Sequence, residues 1–206
     1  MRQRWLSLAA LTLARAGIGF QFQSVAAVSP LISDSLGLDK AQLGWLIGLY
    51  LLPGIAIALP GGLLGARFGD KRLVLIGLGL MGAGGLWLSL ADSFYEATAA
   101  RFTSGAGAVM LNVLVTKMVA DWFEGRERFL AMSVLINSWP IGIGIALLVV
   151  GPLSEVASWH WGILSSAVMA AIGFLAVLTI YRAPMGPAPP APASGLGLRI
   201  LTGKEW

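Results

Sequence analysis

Six stretches of this chain stay apolar for roughly twenty residues each, the length a helix needs to cross a bilayer, and the charges are gathered between them. Of the 206 residues, 57% are hydrophobic and only 12% are charged. A soluble domain carries about twice that charge fraction. In hydrocarbon, backbone N–H and C=O groups must pair within the chain, and runs this long pair as helices rather than as the short alternating strands of a barrel. The expected fold class is an all-α membrane protein. The predicted spans are 5–32, 42–64, 73–90, 97–120, 129–150 and 162–181. A cleaved signal peptide would use Arg2 and Arg4 as its basic region and Leu6–Ala14 as its apolar core. Arg15 interrupts that core, and no clear cleavage site follows before the apolar stretch ends near Ile32.

The connection between the second and third runs, GGLLGARFGDKR (Gly61 to Arg72), fixes orientation. It packs Arg67, Lys71 and Arg72 into six positions, with glycines at 61, 65 and 69. Basic residues this dense between spans mark the cytoplasmic side. With six spans, Arg2, Arg4, Arg67, Lys71, Arg72, Lys117, Arg126, Arg128, Arg182, Arg199 and Lys204 all share that side, and Lys40 stands alone on the other. Both termini are therefore expected in the cytoplasm, with the protein in the cell (inner) membrane. The net charge of +4 reads as topology and lipid contact rather than nucleic-acid binding, since no basic run exceeds two residues. The absence of Cys excludes disulfides and thiolate metal sites. Residues 183–206, opening with a proline-rich stretch, read as an extended linker and basic tail.

The hinge resembles the loop motif between the second and third spans of the major facilitator superfamily, roughly G-x-L-a-D-R-x-G-R-K. Gly62, Leu64, Arg67, Gly69 and Lys71 match it. Ala66 stands where the family has Asp, and Asp70 where it has Arg. ARFTSGAGAV, from Ala100, resembles the family's R-x-x-q-G-x-g-a, with Arg101, Gly105 and Gly107 in register. WFEGRERFLAMS is similar to its charged connection into the fifth span, and RFGDKR and NSWP resemble the cyanate-permease-like branch. The resemblance implies one six-span half, made of two inverted three-helix repeats, of a twelve-span transporter whose halves rock about a midplane site. The expected partners are a small solute, the lipid bilayer and a second six-span half, missing or separate. No cofactor, metal or enzymatic activity is expected. The competing readings are a truncated, non-transporting half and a six-span unit that works as a homodimer or with a separate partner.

Within the spans, Arg15 is the sharpest signal. It lies ten residues past Trp5, so about 15 Å along a helix and near the middle of a core about 30 Å thick. An unpaired arginine there costs about 3 kcal/mol. It is the candidate anion-binding group, the alternative being that it snorkels to the interface. Gln23 follows about 80° away around the same helix, closer to Arg15 than Gln21 is. Asn112 lies about 20° from Arg101 on the fourth span, placing both on one polar stripe. For Arg101 the resemblance implies a coupling or structural charge; it lies close enough to the outer surface to snorkel. Asn137 and Pro140 share a face of the fifth span. Arg15, Gln23, Asn112 and Asn137 are the candidate solute-binding residues. Gly62, Arg67, Gly69, Asp70, Lys71 and Arg72 are the candidate gating motif, with Asp70 supplying the negative charge that Ala66 lacks. His160, beside Trp159 and Trp161, is expected in an interfacial aromatic cluster. No Asp or Glu lies inside any predicted span. A basic cavity without acids favours an anionic solute.

Overall fold

The computed structural model describes residues 2–57, 65 and 67–183. Among them the chain forms helices and turns throughout: α1 (Arg2–Ala27), α2 (Ser29–Leu36), α3 (Lys40–Gly48), α4 (Asp70–Ser89), α5 (Phe94–Trp122), α6 (Gly125–Val156) and α7 (Trp159–Ile180). Four of these, α4 to α7, are long and apolar enough to cross a membrane. α1 has the length, at 26 residues, but Arg15, Gln21 and Gln23 dilute its hydropathy.

The helix ends follow local chemistry. Where the sequence predicts one span from 5 to 32, the chain breaks at Val28 and restarts with Pro30 in the first turn of α2. Proline suits that place, because its missing N–H would have no intrahelical partner there. Gly37 ends α2 with φ 63°, its N–H returned to Ser33 O. Asp39 and Gln42 then close a reciprocal capping box on α3, at 2.7 and 3.0 Å. The predicted span 42–64 is also interrupted. After Gly48 the hydrogen bonds tighten to three-residue turns, Leu51 N to Gly48 O and Leu52 N to Leu49 O. Pro53 explains this, since it lacks an N–H and its ring crowds the carbonyl four residues back. The last part of that predicted span, residues 58–64, lies outside the described residues, as does the linker from residue 184 onward.

α1 packs against α6 and α7, while α4 packs against α5 and α7. Between apolar helices in lipid, close packing takes the place of the hydrophobic drive, and small residues let backbones approach. At the α1–α6 crossing, a Cβ on Gly142 would strike the Ala16 carbonyl oxygen, and one on Gly19 that of Trp139. At the α4–α5 crossing, a Cβ on Gly77 would sit 2.8 Å from the Gly107 carbonyl oxygen. Charged side chains lace one end of the bundle. Arg4 pairs with Glu127 at 2.7 Å, tying α1 to α6. Lys71 donates to Leu178 O at 3.0 Å and Tyr181 O at 2.8 Å, capping the end of α7. Arg128 does the same for α5 through Phe123 O and Ala120 O.

Candidate functional site

Arg15 is half-buried, and its partners come from two other helices. Nε donates to Asn112 Oδ1 on α5 at 2.9 Å. Nη1 donates to α6, at 2.7 Å to Leu135 O and 3.1 Å to Ile136 O, with Ser138 Oγ at 3.4 Å. Nη2 has no hydrogen bond among the described residues, and it is not sealed in the interior. An arginine can only donate, so Asn112 must turn its carbonyl oxygen toward Nε. The Asn112 amide nitrogen is then left without a partner among the described residues. Nη2 shares the Nε edge of the guanidinium, the edge that Asn112 Oδ1 holds, so two unengaged donor groups belong to one hydrogen-bonded pair. Neither presents an acceptor, and no carboxylate pairs with Arg15 among the described residues. Beside this cluster an apolar cleft of about 500 Å³ runs along α1 and α6, lined by Leu8, Thr12, Ala16, Ser138, Ile141 and Met169. Ser138 belongs to both.

Gln23 is half-buried, and its side chain makes no hydrogen bond among the described residues. It lies eight residues beyond Arg15, or about 12 Å along the helix. Asn137 is exposed, and its amide is tied to its own helix at Ser133 O, 2.8 Å away. The α6 groups that do reach Arg15 are its neighbours: two backbone carbonyls and Ser138. Residue types alone give no sign of the carbonyls. Pro140 does, because it leaves the Ile136 carbonyl without its usual helical donor.

Arg101 is set differently. It is fully buried, and each of its nitrogens is engaged: Nε with Leu46 O at 3.3 Å, Nη1 with Gln21 O at 2.8 Å and Nη2 with Phe22 O at 2.8 Å. The Tyr50 ring lies 4.4 Å below its charge. Tyr50 in turn bonds Gln21 Oε1 at 3.3 Å, and Gln21 Nε2 bonds Met81 O at 2.9 Å. Gln21 is thus part of the core, linking α1 to α4. The polar stripe on α5 meets α1 at two levels, Arg101 at residues 21–22 and Asn112 at residue 15.

The hinge is described from Gly69 on, together with Gly65, Arg67 and Phe68; Gly62 and Ala66 lie outside the described residues. Gly69 has φ 90°, a conformation that favours glycine, and delivers Asp70 as the first residue of α4. An acid there meets the positive end of the helix dipole. Asp70 pairs with Lys117 of α5, and Lys117 also reaches Asp121 at 3.5 Å. Arg67 and Arg72 are exposed. His160 stacks on Trp159 with ring centroids 3.9 Å apart. No cluster of three or more metal-ligating side chains occurs among the described residues.

Comparison with known proteins adds a lineage. The family model described as Major Facilitator Superfamily matches residues 11–205. The lincomycin resistance protein of Streptomyces lincolnensis is 27% identical over 186 residues, covering 88% of this chain and 37% of that protein. The uncharacterized MFS-type transporter Rv1250 of Mycobacterium tuberculosis is 30% identical, covering 92% of this chain and 32% of that one. The methyl viologen resistance protein SmvA of Salmonella typhimurium is 28% identical, covering 79% and 32% respectively. Among solved structures, the proton:xylose symporter XylE superposes with a TM-score of 0.78 at 16% identity, over 89% of this chain and 46% of that one. The chain thus spans 37% or less of the length of these curated relatives.

Proposed function

The chain belongs to the Major Facilitator Superfamily, and on that premise we propose that it forms one six-span half of a secondary-active transporter that moves a small anionic solute by alternating access. The six spans are α1, α3 with the segment that follows it, and α4 to α7. The second half comes from a longer chain or from a separate subunit. One observation carries the choice of solute: Arg15 Nη2 on α1 and the amide of Asn112, whose oxygen holds Arg15 Nε from α5, are unengaged donors among the described residues, and no acid pairs with Arg15 there. An oxyanion offers two acceptor oxygens in matching geometry, and a charge-assisted bond to guanidinium is among the strong ones. Gln23 adds a further free amide on α1. The apolar cleft accommodates the body of a solute whose charged end sits on Arg15.

At the basic end, Asp70 supplies the negative charge that the hinge motif lacks at Ala66. Its contact with Lys117 joins α4 to α5, and we assign it the closing of the inner gate. We assign both termini to this side, in the cytoplasm of a cell whose inner membrane holds the protein, on the bias of Lys and Arg between the apolar runs. The names of two relatives, resistance proteins for lincomycin and methyl viologen, favour a second reading, export of a foreign compound. Uptake of small anions into proteoliposomes carrying the full gene product, wild type against Arg15→Gln, separates the readings. The anion reading expects half-saturation to rise about tenfold or more with the loss of a charged hydrogen bond. Anion uptake with unchanged half-saturation in Arg15→Gln would sink it. Resistance to lincomycin or methyl viologen that persists in the variant would favour export.

A further inference from the structure

Proline interrupts α6 at position 140 while the helix continues on both sides. An ordinary residue there would donate its N–H to Ile136 O; proline has no N–H, and its ring crowds that oxygen. In hydrocarbon a freed carbonyl has to be satisfied by a neighbour. The neighbour here is Arg15 Nη1, 3.1 Å from Ile136 O; the same nitrogen also bonds Leu135 O at 2.7 Å, a carbonyl that Pro140 does not free and that Ser138 Oγ bonds as well. The seating is tight, because Gly142 and Gly19 let α1 and α6 touch backbone to backbone within a turn of the proline.

We propose that Pro140 is a positioning residue for Arg15: by withholding one backbone N–H it turns the α6 backbone into the acceptor that holds Nη1, and so aims Nη2 and the Asn112 amide at the solute. This rests on the anion site proposed above and deepens it. The guanidinium is planar, so fixing Nε on Asn112 and Nη1 on α6 leaves Nη2 no choice of direction. The acceptors are carbonyls rather than carboxylates, which orient the arginine without neutralising it. Its full charge remains for the anion.

The test reads Arg15 directly and needs no solute. Side-chain nitrogen spectra are recorded on the full gene product with isotope-labelled arginine in lipid nanodiscs, and Arg15 is assigned by the signal missing in Arg15→Gln. In the wild type, rotation about the Cζ–Nη1 bond of Arg15 is expected to be slow. In Pro140→Ala the restored N–H competes for Ile136 O, and the rotation should speed up about tenfold, the weight of a charged hydrogen bond. Arg101, bonded elsewhere, should not change. Replacing that alanine by its α-hydroxy analogue puts an ester in place of the amide and removes the N–H without restoring the ring. Slow rotation should return. If alanine and ester behave alike, proline acts only through the shape of the helix and the proposal is overturned. It is equally overturned if Pro140→Ala leaves Arg15 rotation unchanged, or if Arg101 loosens along with Arg15. None of these outcomes touches the anion reading, which stands or falls on transport by Arg15→Gln.

Discussion

Arg15 and Arg101 are the same side chain, both carried on helices in the interior of one bundle, and they are treated in opposite ways. Arg101 is sealed off, all three nitrogens are spent on backbone carbonyls, and an aromatic ring covers its charge. Arg15 is half-exposed, with two nitrogens held and one left over. A saturated arginine can only hold helices together. An unsaturated one, kept in place by neutral acceptors, still has charge and donors to give. In a membrane the residue type therefore says less than the count of donors left unspent.

Removing Arg101 should have the largest effect. Arg101→Leu strips three charged bonds from a dry site, and a loss on the order of 3 kcal/mol is expected, each such bond contributing about 1.5–3 kcal/mol before its carbonyl's own helical partner is considered. Thermal unfolding in detergent, followed by tryptophan fluorescence, measures it. A variant as stable as wild type would erase the distinction between the two arginines. Next comes the α1–α6 crossing. Gly142→Val forces two backbones apart and should cost about 1–3 kcal/mol, as overpacking does. It should disturb Arg15 far more than Arg101, which draws its acceptors from α1 and α3. Side-chain arginine spectra sharpen the contrast if only the Arg15 signals move.

Arg15→Gln should cost only about 1 kcal/mol of stability, because interhelical hydrogen bonds in membranes average about 0.6 kcal/mol. Its effect should fall on solute affinity instead. Asp70→Asn should be the mildest for stability, under about 1 kcal/mol for a partly exposed pair, since Lys117 keeps Asp121. It extends the contrast to a cation at the end of a span. Insertion should be intact while the rate of gate closure changes, which stopped-flow fluorescence of the full gene product can follow. Normal closure kinetics would mean the Asp70–Lys117 contact is structural.

Much of this was legible in the sequence. The charges between apolar runs place the helices, and the midplane depth of Arg15 singles it out. Depth, however, says nothing of direction. Arg101 sits close enough to the start of α5 for snorkelling to be expected, yet it turns inward because the Gln21 and Phe22 carbonyls and the Tyr50 ring await it there. Gln21 and Gln23 differ by one position on either side of Phe22, and only packing reveals that the first is tied into the core. Asn112 reads as a neighbour of Arg101 by helical angle, but its actual partner is Arg15, on another helix. The break at Val28 is written in Pro30 but hidden by the apolar run around it. Two of the acceptors for Arg15, Leu135 O and Ile136 O, are backbone atoms, invisible to any reading of side chains, and Pro140 is the single letter that betrays the second.

The most direct measurement of the central claim, that Arg15 is the unsaturated arginine which holds an anion, is concentration-dependent uptake of small anions by wild type and Arg15→Gln in proteoliposomes, with thermal unfolding measured on the same preparations. The expected result is a half-saturation raised about tenfold or more in a variant whose melting is nearly unchanged. Uptake with the wild-type half-saturation, in a variant that folds as well, would contradict it.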